Sequence, residues 1–252
     1  MLSGPGANRW CMTERGRSSL TAESQGLGIG PSSVRWDGEG LVFEIDEATM
    51  PLPGRVRGRV RVRPSAVTSH VETLDAEGRH RWWPVAPASR VEVELDRPSL
   101  RWSGAGYFDC NWGDAPLAQD FPDWDWCRAP VGPQGRDGAA IVYDVRRRDG
   151  SGKVIAIRID RAGQVESFAV PPRVALPGSF WWRINRGVRC ESGGTAAVRE
   201  TLVDAPFYAR SVVATRMAGQ DVTAIHESLS LDRFDSTWVQ VLLPFRMPRL
   251  AR

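Results

Sequence analysis

An all-β fold is predicted by three observations: helical periodicity is nearly absent, short runs of alternating or β-branched residues recur along the chain, and Gly, Pro and Asp turns break them. The clearest strands fall at 41–45, 56–62, 67–74, 91–95 and 141–145, followed by 154–160, 165–170, 211–215, 222–231 and 237–243. Turn signals such as Asp149-Gly150 and Arg161-Ala162-Gly163 separate them. So many strands imply stacked sheets or closed barrels.

Within the second run, Arg55, Arg57, Arg59, Arg61 and Arg63 alternate with Val56, Gly58, Val60 and Val62, so on a strand all five guanidinium groups share one face. One reading is a solvated face matched by carboxylates, with Glu92 and Glu94 of the 91–95 run as neighbours. The other is docking on anionic lipid headgroups. Nucleic acid is disfavoured, because no aromatics interleave the stripe and the formal net charge is only +3.

Texture changes from Trp102 to Pro133, where Trp, Asp, Gly and Pro dominate and regular alternation is weak. This stretch is expected to be a long irregular loop between two β domains, 1–98 and 99–252, with the boundary near Pro98. Charged residues make up 25% and apolar residues 42%, ordinary globular usage. No run approaches the roughly 18 to 20 apolar residues of a spanning helix. The opening segment lacks the apolar block of a secretory signal, so the protein is expected inside the cell. Cys11, Cys110, Cys127 and Cys190 are too scattered for a zinc site and are expected to be free thiols.

The sequence contains no Walker loop, dinucleotide fingerprint, nucleophile elbow or paired-histidine motif, and His70, His80 and His226 are not at metal-ligand spacing. No metal or cofactor is expected. What stands out is eleven tryptophans, in groups: Trp82-Trp83, Trp112, Trp124 with Trp126, and Trp181-Trp182. They serve either as core anchors or as the wall of an aromatic tunnel for a large apolar ligand. In the stretch 104–114, Tyr107 and Asp109 would point to one side of an extended chain, with Asn111 next along. Either a phenol and a carboxyl converge there, or Asp109 and Asn111 hold a turn.

Four segments, 9–16 (RWCMTERG), 78–84 (GRHRWWP), 102–109 (WSGAGYFD) and 123–128 (DWDWCR), resemble the bacterial carotenoid 1,2-hydratases, also called hydroxyneurosporene synthases. The likeness continues through 229–234 (LSLDRF) to the closing Arg246-Met247-Pro248. The resemblance implies two lipocalin-like β domains packed together with the site at or near their junction. It implies cofactor-free hydration of the ψ end of acyclic carotenes such as neurosporene and lycopene. Matched residue by residue, the family's essential positions fall on His80, Trp82, Tyr107 and Asp109. Relatives carry sequence ahead of the segment matching Gly4 to Arg9, so the first domain is expected to be shortened at its start.

Hydrating a trisubstituted terminal alkene requires protonation at the less substituted carbon, which leaves a tertiary cation for water. Asp109 is assigned as the acid, its ordinary pKa of about 3.9 raised by an apolar pocket. Trp82, Tyr107 and Trp112 offer aromatic faces to the cation, and Trp83, Trp124 and Trp126 are expected to line the substrate site. His80 is expected to orient Asp109 or take a proton from water. Glu14, Asp114, Asp123 and Asp125 are rival acids, with Asp123 and Asp125 expected to bond backbone or arginine partners instead. The expected location is the cytoplasmic side of the inner or photosynthetic membrane, in peripheral contact. Two other readings use the same cavity: a carotenoid or lipid carrier, and a cofactor-free isomerase or cyclase.

Overall fold

The computed structural model describes residues 1–4, 8–135 and 137–243; the closing Arg246-Met247-Pro248 lies outside the described residues. The chain is all-β, as predicted. Its strands are Leu20–Glu23 (β1), Gly26–Ile29 (β2), Ser32–Trp36 (β3), Leu41–Thr49 (β4), Gly54–Pro64 (β5) and Glu72–Thr73 (β6). His80–Arg97 (β7) and Leu100–Gly113 (β8) follow, then helix Leu117–Asp120 (α1) and strands Asp123–Val131 (β9), Gly138–Arg146 (β10) and Gly152–Asp160 (β11). The remainder is Val165–Ser167 (β12), Arg173–Leu176 (β13), Arg186–Arg189 (β14), Ala197–Ala205 (β15), Tyr208–Met217 (β16) and Gln220–Ser230 (β17), closed by helices Leu231–Phe234 (α2) and Thr237–Leu242 (α3).

The chain divides into two compact units that interleave in sequence. The first comprises residues 1–64, 89–106 and 240–252, and the second 65–88 and 107–239. The expected boundary near Pro98 lies inside the first unit, at the turn between β7 and β8.

In the first unit β1 to β5 and the 89–97 part of β7 pair in antiparallel order around a small core of Val56, Val93 and Leu95. Four of the five arginines of the β5 stripe meet carboxylates, on both sides of the strand. Arg55 pairs Asp46, Arg59 meets Glu44 at 2.5 Å, and Arg63 and Arg61 meet Glu92 and Glu94 at 3.6 and 3.9 Å. This is the carboxylate-matched face read from the alternation.

The second unit is organised on a seven-stranded antiparallel sheet, β12-β11-β10-β9-β17-β16-β15. Its interior strand β10 is buried on both sides. One face carries Ile141, Tyr143 and Val145 and packs with Trp82, Phe121 and Trp126. The other carries Ala140 and Val142 and packs with Val188 and Leu176 of the β13–β14 hairpin. Burying side chains of this size stabilises by roughly 1.5–3 kcal/mol each, so this doubly covered sheet is the stiff platform of the unit.

Three sequence expectations are corrected. The stretch 102–133 is not an irregular loop: β8 and β9 run through most of it, leaving only residues 114–122 and the end past Val131 outside strands. Glycine there serves close strand approach rather than turning; a Cβ on Gly106 would lie 2.1 Å from Val91 Cγ2. The 67–74 run forms a strand only at Glu72–Thr73, because the β7 segment it faces contains Pro84 and Pro87, which cannot donate to a ladder. The 237–243 run is the helix α3, in which only Val239 is buried; its place after the Ser230-capped α2 overrides β-branched propensity.

Candidate active site

Trp82, Tyr107 and Asp109 converge on one carboxyl oxygen. The Trp82 indole N–H donates to Asp109 Oδ2 at 2.9 Å, and the Tyr107 hydroxyl donates to the same oxygen at 3.0 Å. The period-two spacing of β8 puts Tyr107 and Asp109 on one side, as read from the sequence. Trp82 arrives from β7, fully buried, its ring edge-on to Tyr143 at 5.4 Å. The Tyr107 ring lies 5.0 Å from that of Trp126, and the Arg128 guanidinium sits over the Tyr107 ring, 5.8 Å from its centre.

The surroundings of Asp109 shift its carboxyl toward the protonated form. Burial is the largest influence and pushes its carboxyl above the ordinary range; the bonds from Trp82 and Tyr107 pull down, and the nearby charge of Glu227 pushes up again. Burial and the Asp109 charge hold the Tyr107 phenol well above its usual value, so it remains a donor.

His80 is placed differently from the expectation that it orients Asp109. It shares the buried face of β7 with Trp82, but its Nε2 meets Asp120 Oδ2 at 2.7 Å and its ring lies against Phe121 at 5.0 Å. Its backbone N–H donates to Asp75 Oδ1 at 2.7 Å. On the far side of the ring, a Cβ on Gly113 would fall 2.5 Å from Nδ1, so only glycine fits there. The imidazole is clamped.

A family model described as carotenoid hydratase CrtC matches residues 1–252. The chain belongs to the carotenoid hydratase family. It is 53% identical over 250 residues to the acyclic carotenoid 1,2-hydratase of Thiocapsa roseopersicina, and 48% identical over 250 residues to that of Rubrivivax gelatinosus. Each match covers 99% of this chain and 61% of the relative, so the chain spans about three fifths of those two proteins. The acyclic carotenoid 1,2-hydratase of Cereibacter sphaeroides is 38% identical over 247 residues, covering 98% of this chain and 86% of that protein.

In this carotenoid hydratase family member the remaining tryptophans divide. Trp126 is buried in the same cluster as Trp82, and Trp124 packs on it, edge-on to Tyr143 at 6.1 Å and to Phe121 at 6.3 Å. Trp83 faces the other way and donates to Thr68 O at 2.7 Å. Trp112 stands 41% exposed and is not part of the cluster. The Trp126 indole N–H is buried without a hydrogen-bond partner among the described residues. An open cleft of the first unit, lined by Glu44, Arg59, Glu94 and Arg101, is charged where the surroundings of Asp109 are aromatic.

The sequence reading missed the charged residues that complete the site. Trp126 pairs across the sheet with Glu227, and Glu227 with Arg210, which holds its carboxylate at 2.7 Å. Strand alternation puts Glu227 between Ile225 and Leu229, both packed on the Trp82 cluster, and that apolar–charged–apolar pattern in β17 was the available signal. Asp120 carried none: it sits in a four-residue helix, 40 positions from His80.

Proposed function

We propose that the chain is a hydro-lyase that adds water to the terminal ψ-end double bond of acyclic carotenes such as neurosporene and lycopene, without a cofactor. The observation that carries this reading is the Asp109 carboxyl, burial-raised within an aromatic cluster and bonded by Trp82 and Tyr107 through one oxygen.

Two donors on Oδ2 leave Oδ1 as the oxygen that carries the acid proton. Asp109 gives that proton to the less substituted carbon of the alkene, whose π electrons form the new C–H bond and leave a tertiary cation. The carboxylate so formed is stabilised by Trp82 and Tyr107, whose hydrogen bonds strengthen as charge develops. The same pair of bonds that opposes protonation at rest therefore favours proton release in the reaction, while burial strengthens the resting carboxyl's hold on its proton. The aromatic faces of Trp82, Tyr107 and Trp126 attract the cation, each by roughly 0.5–2 kcal/mol. Water bonds to the cation and its surplus proton returns to the carboxylate, restoring Asp109 and leaving a tertiary alcohol. His80, clamped by Asp120, is a positioning residue for Trp82 on the same strand face.

The antiparallel, near-sequential strand order of both units supports reading them as lipocalin-like domains. The insolubility of a carotene supports peripheral contact with the cytoplasmic side of the membrane. Among the described residues no helix is long and apolar enough to cross one.

The test is chromatography and mass spectrometry of carotenoids from cells given lycopene or neurosporene and expressing the chain or Asp109→Asn. A product heavier by one water, absent with the variant, supports hydration by Asp109. Unchanged carotene bound by both proteins makes the chain a carrier, and an isomeric product makes it an isomerase or cyclase.

A further inference from the structure

The most exposed aromatic side chains among the described residues lie far in sequence from Asp109, in the connection between β13 and β14. Phe180 is 76% exposed and Trp181 77%, and beside them Trp182 (37%) stacks on Trp238 (46%) with ring centres 5.7 Å apart. Surface aromatics scattered singly are ordinary, but three on one turn with a fourth stacked on them from α3 are not.

This turn is held rigid. Ser179, fully buried, accepts the Ile184 N–H through its hydroxyl at 2.9 Å, and its own N–H donates to Ile184 O at 3.1 Å. Asp204 Oδ2 accepts the backbone N–H of Trp181 at 2.6 Å, and the Arg233 guanidinium donates to the carbonyls of Trp182 and Arg183. The aromatic rings are thus presented to solvent by a frame that leaves them no route into the core, an arrangement that costs hydration free energy unless something covers them.

We propose that the 180–182 tip, with Trp238 behind it, is the surface by which the protein docks on a lipid bilayer. The inference rests on the hydratase reading for its motive, since an acyclic carotene dissolves in the bilayer and has to be collected there. It rests on the tip for its location. Tryptophan rings with a polar N–H and an apolar body favour the headgroup boundary. Consecutive exposed rings on one turn suit a deformable lipid phase that can close around each of them. Arg183 and Arg233 flank the rings with positive charge that complements anionic headgroups. Four of the five β5 arginines, by contrast, are matched by carboxylates of their own unit.

The experiment is flotation of the full chain with vesicles of phosphatidylcholine and phosphatidylglycerol, beside Phe180→Ser/Trp181→Ser and, as a control, Arg59→Gln/Arg61→Gln. The parent and the arginine variant are expected to float. The aromatic variant is expected to lose vesicle affinity by about tenfold or more while keeping the parent's circular dichroism and its turnover of detergent-dispersed carotene. A parent that does not float overturns the proposal, as does an aromatic variant that floats as well as the parent. So does a parent that is dimeric in solution while the aromatic variant is monomeric, which assigns the tip to a second copy of the chain. Loop-dependent flotation with no hydration in either assay upholds the docking surface and removes the hydratase reading instead.

Discussion

Asp109 and Asp125 lie in two tryptophan-flanked stretches of the same unit and have opposite surroundings. Asp125 is 4% exposed on the hairpin side of the seven-stranded sheet, where Arg173 donates to Oδ2 at 2.6 Å and Ser228 to Oδ1 at 2.5 Å, with the Gly187 N–H at 3.3 Å. Asp109, on the aromatic side, receives two neutral donors and has no bonded cation among the described residues. A buried carboxyl with an arginine is a strut; one with neutral donors, aromatic walls and a carboxylate neighbour has the surroundings that suit a proton donor. Identity and burial alone do not separate them, but partners do.

The sharpest way to break this comparison is to exchange each carboxyl for its amide. Asp109→Asn is expected to lower hydration by about 10²–10⁴-fold, the range of a lost general acid, read as product per unit of soluble protein. It is also expected to raise the melting temperature at pH 7. The folded state holds the Asp109 proton above the pKa of the unfolded chain, so the parent loses stability as pH rises through that window, and the amide does not. The gain should vanish near pH 3, where the carboxyl is protonated in both states. If the variant melts lower than the parent at pH 7, Asp109 is a strut as well.

Asp125→Asn is expected to do the reverse, lowering unfolding free energy by about 2–4 kcal/mol in denaturant titration while the remaining folded enzyme turns over normally. The loss stays below that of a sealed ion pair because Arg173 keeps 37% of its side chain in water. A smaller effect is expected from Tyr107→Phe, which removes one of the donors that stabilise the developing carboxylate: roughly 10-fold in kcat, with KM little changed. Smallest is Glu227→Gln. Removing its charge lowers the Asp109 pKa, so the alkaline limb of the activity profile should move to lower pH. A limb that does not move would mean that Glu227 and Asp109 are not coupled.

Much of this was legible in the sequence where the information is local. Alternation in 55–63 announced a one-sided arginine face, and period two put Tyr107 beside Asp109 and Trp124 beside Trp126. The stretch 102–133 misled because its Gly, Asp and Trp residues read as breakers when taken one by one. In the fold Gly106 admits Val91, and the Asp side chains of β9 find arginines on other strands: Asp123 pairs Arg146, and Asp125 pairs Arg173. The helix at 237–242 was hidden for a similar reason, since its β-branched composition says nothing of the capped turn before it.

By itself the sequence determined the fold class and the faces of the strands, and family likeness nominated Asp109 as the acid, because periodicity and motif are carried by neighbours in the chain. Only the tertiary structure decided that His80 answers to Asp120, that the charge of Glu227 is felt at Asp109, and that Phe180 and Trp181 stand in solvent. Each of these depends on residues tens of positions apart being brought to one place. A carboxyl's protonation, a histidine's partner and a tryptophan's exposure are properties of that surrounding and not of the residue.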